Sequence, residues 1–230
     1  MKSTIQQLQN RGYVSMQQFD HYEILNNREM IWMLNSPVAE ERTISAQMLG
    51  ERQEAEAITG LCEALRAEKK LYTKIAICEA LVKLGYPAVD YLLPLLGTIG
   101  NNQHKVLPAN LFDKSSFPLP RDIVARTIAK IGEEALPGLE QVLISGNLVQ
   151  VLEAIDAVGY IAYYSKNHSS YFALNLCLNR FSNNVMVQWK VIRAFQAFPQ
   201  TKMYLESIHE NIAHARICDE AKRSLSKFSN

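Results

Sequence analysis

The 230-residue chain lacks the charge imbalance and the long apolar runs that mark many nucleic-acid-binding and membrane proteins. Lys and Arg (24) nearly balance Asp and Glu (23), and the formal net charge of +1 provides no overall field for an anionic partner. The N-terminal MKSTIQQLQN is polar and precedes no apolar signal segment, and the longest apolar stretch, around 91–96, is too short to cross a bilayer. These absences predict a soluble cytoplasmic protein without a membrane partner.

The sequence also lacks a cysteine pattern typical of metal or redox sites. Its four cysteines are far apart and form no C-x-x-C pair. They are Cys62, Cys78, Cys177 and Cys218. Each lies among Leu, Ile or Ala in a helical pattern, which predicts small reduced core side chains and no structural zinc.

Catalytic motifs are missing as well. The zinc-protease signature needs two histidines four residues apart on one helix, but His209 and His214 are five apart. His21, His104 and His168 are isolated in sequence from any acid or thiol pair, so neither a metal triad nor a nucleophile with its base is indicated. There is no G-x-S-x-G, no phosphate-binding glycine loop and no dinucleotide fingerprint. We therefore predict no catalytic centre, no metal and no cofactor.

What the sequence does contain is a recurring helical phrase. An apolar helical face closes on a Leu-Gly-like pair, and a second helix rich in Leu and Ala follows. The pairs are Leu49-Gly50, Leu84-Gly85, Ile131-Gly132 and Val158-Gly159. The first two glycines are 35 residues apart, within the range typical of stacked repeats.

A two-helix unit with one apolar stripe per helix cannot bury that stripe alone and must stack on copies of itself. We therefore predict an all-α, right-handed α-solenoid of about five to six helix pairs in a single domain, 1–230. The predicted segments are N-terminal capping helices at 1–34, repeats one and two at 35–97, an irregular insertion at 98–119, repeats three to five at 120–212, and a C-terminal capping helix at 213–230.

Three segments resemble HEAT repeats, particularly the short bacterial kind also found in phycobilin lyase subunits. They read ISAQMLGERQEAEAITGLCEALR, IAICEALVKLGYPAVDYLLPLL and VARTIAKIGEEALPGLEQVL. The resemblance covers 35–146. From 147 the helix-pair rhythm persists but the signature decays, and Ala197-Phe198-Pro199 stands in place of the expected Leu-Gly. It places Arg42, Lys74 and Arg121 at one position that is usually basic in the family, and it implies ion pairs between repeats with carboxylates such as Glu41 or Asp122.

The insertion at 98–119 follows neither helical nor strand periodicity and bears prolines. A long loop retained in a regular array is a candidate for binding, and the alternative is a loop that folds down over a repeat edge. Its apolar anchors are Leu107, Leu111, Phe112 and Phe117. Its polar candidates for contact with a partner are His104, Lys105, Asp113 and Lys114, with Arg121 just beyond.

An aromatic concentration follows at 160–172. Such rings could stack on bases or clamp a peptide, or they could pack between repeats. Tyr160 and Tyr164 share a helical face that could be core, so Tyr163 is the ring we expect to be exposed. Tyr163 and Tyr164 complete the predicted partner-binding residues.

Together these features predict a non-enzymatic scaffold or adaptor that binds another protein or peptide. Nucleic-acid binding is the alternative, because residues 183–230 carry a net charge of +3. A subunit of a cofactor-attachment lyase is a third possibility that rests on the family resemblance alone.

Overall fold

The computed structural model describes residues 4–15, 19–109, 114, 116–211 and 214–228. Within these ranges every regular element is helical. The chain divides into two compact units, Met1–Leu92 and Leu93–Asn230. The single domain predicted for 1–230 stays a prediction.

The first unit is built from helix pairs stacked in chain order. Its α-helices are α1 (Ile5–Gln9), α2 (Asn27–Met33), α3 (Ala39–Arg52), α4 (Ala57–Ala67), α5 (Leu71–Leu84) and α6 (Val89–Leu92). The first helices of successive repeats, α3 and α5, pack along each other, and α4 packs on α5. Leu49, Leu61 and Leu81 are wholly buried between them, so each helix hides its apolar stripe against the next pair.

The second unit repeats this arrangement. Its helices are α7 (Ile123–Ile131), α8 (Leu136–Ser145), α9 (Leu148–Ser165), α10 (Tyr171–Arg180), α11 (Val185–Phe195), α12 (Lys202–Asn211) and α13 (Ala215–Leu225). The first helices stack in the order α7, α9, α11 and α13, while α10 packs on α8 in a second row. This order confirms the prediction of an all-α helical-repeat fold of the α-solenoid class.

The Leu-Gly pairs have two structural roles, of which the sequence predicted one. Gly85 and Gly132 end α5 and α7 with φ of 68° and 98°, as expected. Gly50 and Gly159 instead lie inside α3 and α9, so the prediction that they end helices is wrong. A Cβ at Gly50 would lie 2.7 Å from Ala80 Cα on α5, which shows that the glycine permits close helix packing.

The predicted boundaries also need correction near Pro94. The helix expected at 88–96 is reduced to α6, flanked by 3-10 turns at Tyr86–Ala88 and Leu93–Leu95. Proline disfavours helical geometry in the residue before it and donates no backbone hydrogen bond, so a longer α-helix is interrupted there. The C-terminal helix expected at 213–230 is α13, which ends at Leu225, while 213 and 229–230 lie outside the described residues.

The four cysteines lie at buried or half-buried positions. Cys62, Cys78 and Cys177 are buried, and Cys218 is half-buried. Burial raises the pKa of Cys62 and of Cys177 to about 11, so both thiols are protonated at neutral pH. Among the described helices, none is long and apolar enough to cross a bilayer.

Candidate functional site

The insertion is irregular, as predicted, and its C-terminal end is anchored on α9. Phe117 is only 3% exposed and lies so close to Gly159 that a Cβ there would be 2.6 Å from Phe117 Cζ. The ring of Tyr163 lies 5.7 Å from the ring of Phe117, and the Tyr164 hydroxyl donates to the Phe117 carbonyl at 3.3 Å. A glycine inside a helix thus provides the seat for the insertion's aromatic anchor.

The N-terminal end of the insertion is anchored on α7. Gln103 Nε2 donates to Asp122 Oδ2 at 2.7 Å, and Asp122 Oδ1 accepts the Ala125 N–H at 2.8 Å as the N-cap of that helix. Asn102 exchanges hydrogen bonds with Arg121, one to its backbone carbonyl and one from its guanidinium, each 3.2 Å long. The stretch 102–104 is therefore held by side chains rather than by regular structure.

His104 completes this end by reaching α11. Its ring meets the Trp189 ring edge to face, with centroids 5.3 Å apart. Burial lowers the pKa of His104 to about 4, so the imidazole is neutral at pH 7. Much of the insertion therefore folds down onto its own repeats, which is the structural alternative that the sequence left open.

Between these two anchors several of the described residues are exposed. Lys105 and Lys114 are exposed, and Val106 has 74% of its surface in solvent. Asp113, like Leu111 and Phe112, lies outside the described residues. Of the predicted partner-binding residues in and beside the insertion, Lys105 and Lys114 are thus exposed, whereas His104 and Arg121 contact other side chains of the same chain.

The expectation for the tyrosines is wrong. Tyr163 is half-buried, whereas Tyr164 is 52% exposed. Tyr163 lies against Phe117 and beneath the Lys166 amine, which is 4.7 Å from its ring centroid. Helical periodicity shows only which face meets the neighbouring helices, so it could not reveal that the insertion covers Tyr163.

A buried ionic cluster, which the sequence analysis did not predict, joins α9 to α11. Lys190 has no exposed surface, and its Nζ donates to Glu153 Oε1 at 3.1 Å and to Asp156 Oδ2 at 2.8 Å. A third bond, of 2.9 Å, reaches the Leu152 carbonyl. Three acceptors thus satisfy the three donors of this ammonium group.

The cluster continues from α11 to α13. The Arg193 guanidinium lies 3.6 Å from the Trp189 ring centroid, and its Nε is 3.8 Å from Glu220 Oε1. Arg223 Nε donates to the same Glu220 oxygen at 2.6 Å. Among the described residues, Glu153 Oε2, Arg193 Nε and Glu220 Oε2 have no hydrogen-bond partner. A signal was present in the sequence, because charged pairs three residues apart recur on α9, α11 and α13 within apolar stripes.

The ion pairs implied by the family resemblance are not formed as expected. Arg42 pairs with Glu68, not with Glu41, at 2.8 Å from Nε and 3.1 Å from Nη2. Asp122 caps α7 instead of pairing with a cation. Glu68 follows α4, and only the folded helix pair brings it to Arg42. In the described part of the chain, no group of three or more His, Cys, Asp or Glu side chains is placed to hold a metal ion.

No family model and no curated protein sequence matches this chain. Among solved structures it is similar to an engineered protein determined by the Northeast Structural Genomics Consortium, with 17% identity over 89% of this chain and 98% of that one, at a TM-score of 0.38. It is also similar to a designed armadillo repeat protein, with 16% identity over 88% of this chain and 99% of that one, at a TM-score of 0.37. The helix contacts within each unit carry the fold assignment.

The ionic cluster makes stability depend on pH in a defined direction. Burial, opposed by Lys190 and reinforced by Asp156 and Asp122, raises the pKa of Glu153 from 4.5 to about 7. Between pH 4.5 and about 7 the folded protein binds more protons at Glu153 than the unfolded chain does. The stabilisation that comes from keeping Glu153 protonated is therefore lost as the pH rises through about 7.

We therefore expect the free energy of unfolding of Glu153→Gln, measured relative to wild type, to increase as the pH rises from about 5 to about 8. The increase should be roughly 3 kcal/mol at most. Urea unfolding of both proteins at several pH values measures this difference, and Glu134→Gln on the exposed surface is the matched control. Parallel pH profiles for wild type and Glu153→Gln would contradict the assignment.

Proposed function

We propose that this protein is a non-enzymatic, HEAT-like scaffold or adaptor of the cytoplasm that binds another protein or peptide through its insertion. One observation carries the proposal. The insertion is anchored at both ends, by His104 and by Phe117, yet it exposes Lys105, Val106 and Lys114 between them. A loop that is held at both ends and presents an apolar side chain and cations loses less conformational freedom on binding than a loop without such anchors.

The proposed contact surface comprises the middle of the insertion and its flank. It includes Lys105, Asp113 and Lys114, with Arg121 and Tyr164 beside the two anchors. His104 and Tyr163 support it by holding the loop in place. A partner with acidic groups around an apolar anchor would complement this surface.

A groove of about 810 Å³ in the first unit offers a second surface for the same function. It lies along α3 and α5 and is lined by apolar side chains such as Tyr13, Phe19 and Met48 and by charged ones such as Glu79. Gln47 Oε1 is buried there and has no hydrogen-bond partner among the described residues. A backbone N–H of a bound peptide would satisfy this oxygen.

The buried cluster weakens the nucleic-acid alternative. Of the seven cations counted at 183–230, Lys190, Arg193 and Arg223 are buried and face carboxylates. They are not available to phosphates, which removes three of the seven cations from any surface stripe in this region. The lyase alternative still rests on the family resemblance alone. The proposed function involves no cofactor and no catalytic centre.

Affinity capture from native lysate, quantified by mass spectrometry, tests the proposal. The variant Lys105→Glu/Val106→Asp/Lys114→Glu reverses the charge of the two exposed lysines of the insertion and replaces its exposed apolar side chain with a carboxylate. The control Lys202→Glu/Met203→Asp/Lys222→Glu makes the same kinds of change at exposed positions of α12 and α13.

We expect a specific protein to be recovered by wild type and by the control, and to be reduced at least tenfold with the insertion variant. Direct binding of that protein to the purified chain would then be measured. Equal recovery by all three proteins would overturn the role of the insertion. Binding of random duplex DNA at low salt, lost on adding salt, would favour the nucleic-acid alternative instead.

A further inference from the structure

The second unit contains a cavity of about 410 Å³ whose polar lining is basic. It lies where the ends of α9 and α11 meet the residues that follow α13. Its walls include Tyr163, Lys166, His168, Pro199, Lys227 and Phe228. None of its lining residues is acidic. The fold thus brings two ammonium groups and an imidazole around one space that also has aromatic walls.

The two lysines of the cavity lack the carboxylate partners that the buried cations Lys190, Arg193 and Arg223 have. Lys166 is exposed, and its amine lies 4.7 Å from the centroid of the Tyr163 ring. Among the described residues, no carboxylate lies within ion-pair distance of the amines of Lys166 or Lys227. Lys227 and His168 are half-buried, so water solvates them only in part. Cations gathered in a partly enclosed cavity without a counter-charge create a positive potential that favours an anion.

The loop that carries Lys166 and His168 is held in place before any ligand binds. Lys166 ends α9 with φ of 62°, a left-handed conformation that glycine usually adopts at such a position. Asn167 Nδ2 donates to Glu133 Oε2 at 2.6 Å, and Asn167 Oδ1 accepts the Ser169 N–H at 2.9 Å. The His168 ring contacts the Phe198 ring, with centroids 5.8 Å apart. This fixed backbone reduces the ordering cost of a ligand.

The floor of the cavity is equally fixed. Gln196 is 5% exposed, and its amide donates to the Arg193 carbonyl at 2.9 Å and accepts from Arg223 Nη1 at 3.2 Å. Pro199 and Phe228 add apolar surface to the lining. The cavity therefore combines cationic and apolar lining residues, as an anion carried on a flat apolar group requires.

We propose that this cavity binds a phosphate monoester that carries an aromatic ring. The phosphate oxygens accept from the Lys166 and Lys227 amines and from His168, and the ring lies against Tyr163 and Phe228. A phosphate dianion has three oxygens that can accept hydrogen bonds from three donors, whereas a carboxylate has two. The two sources of this chemistry are a free nucleotide and a phosphotyrosine side chain.

Titration calorimetry of the full chain with phenyl phosphate tests the site. Inorganic phosphate and phenol report the contributions of the anion and of the ring. We expect phenyl phosphate to bind more tightly than either, and Lys166→Gln/Lys227→Gln to weaken it about tenfold or more. The control Lys202→Gln/Lys222→Gln removes two exposed lysines that do not line the cavity, and it should bind as wild type does.

Adenosine monophosphate and a phosphotyrosine peptide then distinguish the two sources. Whichever of the two binds more tightly than the other supports the site and assigns its ligand. The proposal is overturned if phenyl phosphate shows no saturable binding to wild type. It is also overturned if both double variants bind phenyl phosphate equally well. A thermal unfolding scan of each variant verifies that it is folded.

Discussion

Replacing Lys190 with Met is expected to lower the free energy of unfolding of the second unit by about 3–5 kcal/mol. The side chain is wholly buried, and its ammonium is the cation that faces both Glu153 and Asp156. Methionine fills much of the same volume but leaves the two carboxylates without the ammonium in a site of low polarity. The cost is therefore the burial of unpaired charge and not the loss of packing.

Urea denaturation followed by fluorescence measures this effect, because Trp189 lies next to Lys190 in the sequence and packs beneath Arg193. Lys202→Met, at an exposed position, is the matched control and should change stability by no more than about 0.5 kcal/mol.

A third variant separates the cost of unpaired charge from that of repacking. Lys190→Met/Glu153→Met/Asp156→Leu removes all three charges and should recover most of the loss. If Lys190→Met alone unfolds at the urea concentration of wild type, the cluster does not contribute as the structure implies.

Replacing Phe117 with Ala is the second large change, with an expected cost of about 3–5 kcal/mol to the closed position of the insertion. The ring is buried between Gly159 and Tyr163, and its removal leaves a cavity at the seat on α9. Because these contacts anchor the insertion rather than the repeats, we expect the helices to remain folded while the insertion opens.

Hydrogen exchange resolved by segment measures this opening. The amides of Phe117 and Leu119 should exchange faster by about two orders of magnitude or more, whereas those of α11 should be little changed; Pro118 and Pro120 carry no amide hydrogen. Val106→Ala removes an apolar side chain from the same insertion, but at an exposed position, and should leave exchange unaltered. Unchanged exchange at positions 117 and 119 in Phe117→Ala would show that Phe117 is not the anchor.

Most of the helix pattern could be predicted because it depends on local periodicity. The apolar stripes of α3, α5, α7 and α9 recur every three to four residues, and each stripe is buried in the folded unit. The irregular insertion was recognisable for the same reason, since it breaks both the helical and the strand period. The helix boundaries that were predicted wrongly lie near Pro94, which interrupts a helix, and at Gly50 and Gly159, which permit close helix packing instead of ending a helix.

The candidate site was less predictable because its contacts join residues far apart in the chain. His104 meets Trp189 across two intervening repeats, and Phe117 meets Gly159 across one. Helical periodicity could not identify the ion-pair partners of Lys190, because Glu153 and Asp156 lie on another helix. A pattern within one helix cannot show which charge on the next helix will face it.

The sequence by itself determined the helices, their stacking as repeats and the position of the insertion, because amphipathic periodicity is a local property of the chain. The tertiary structure alone decided where the insertion lies, which glycines bring helices together and which charges are buried in pairs. These features follow from distances between repeats, and such distances exist only once the repeats have packed.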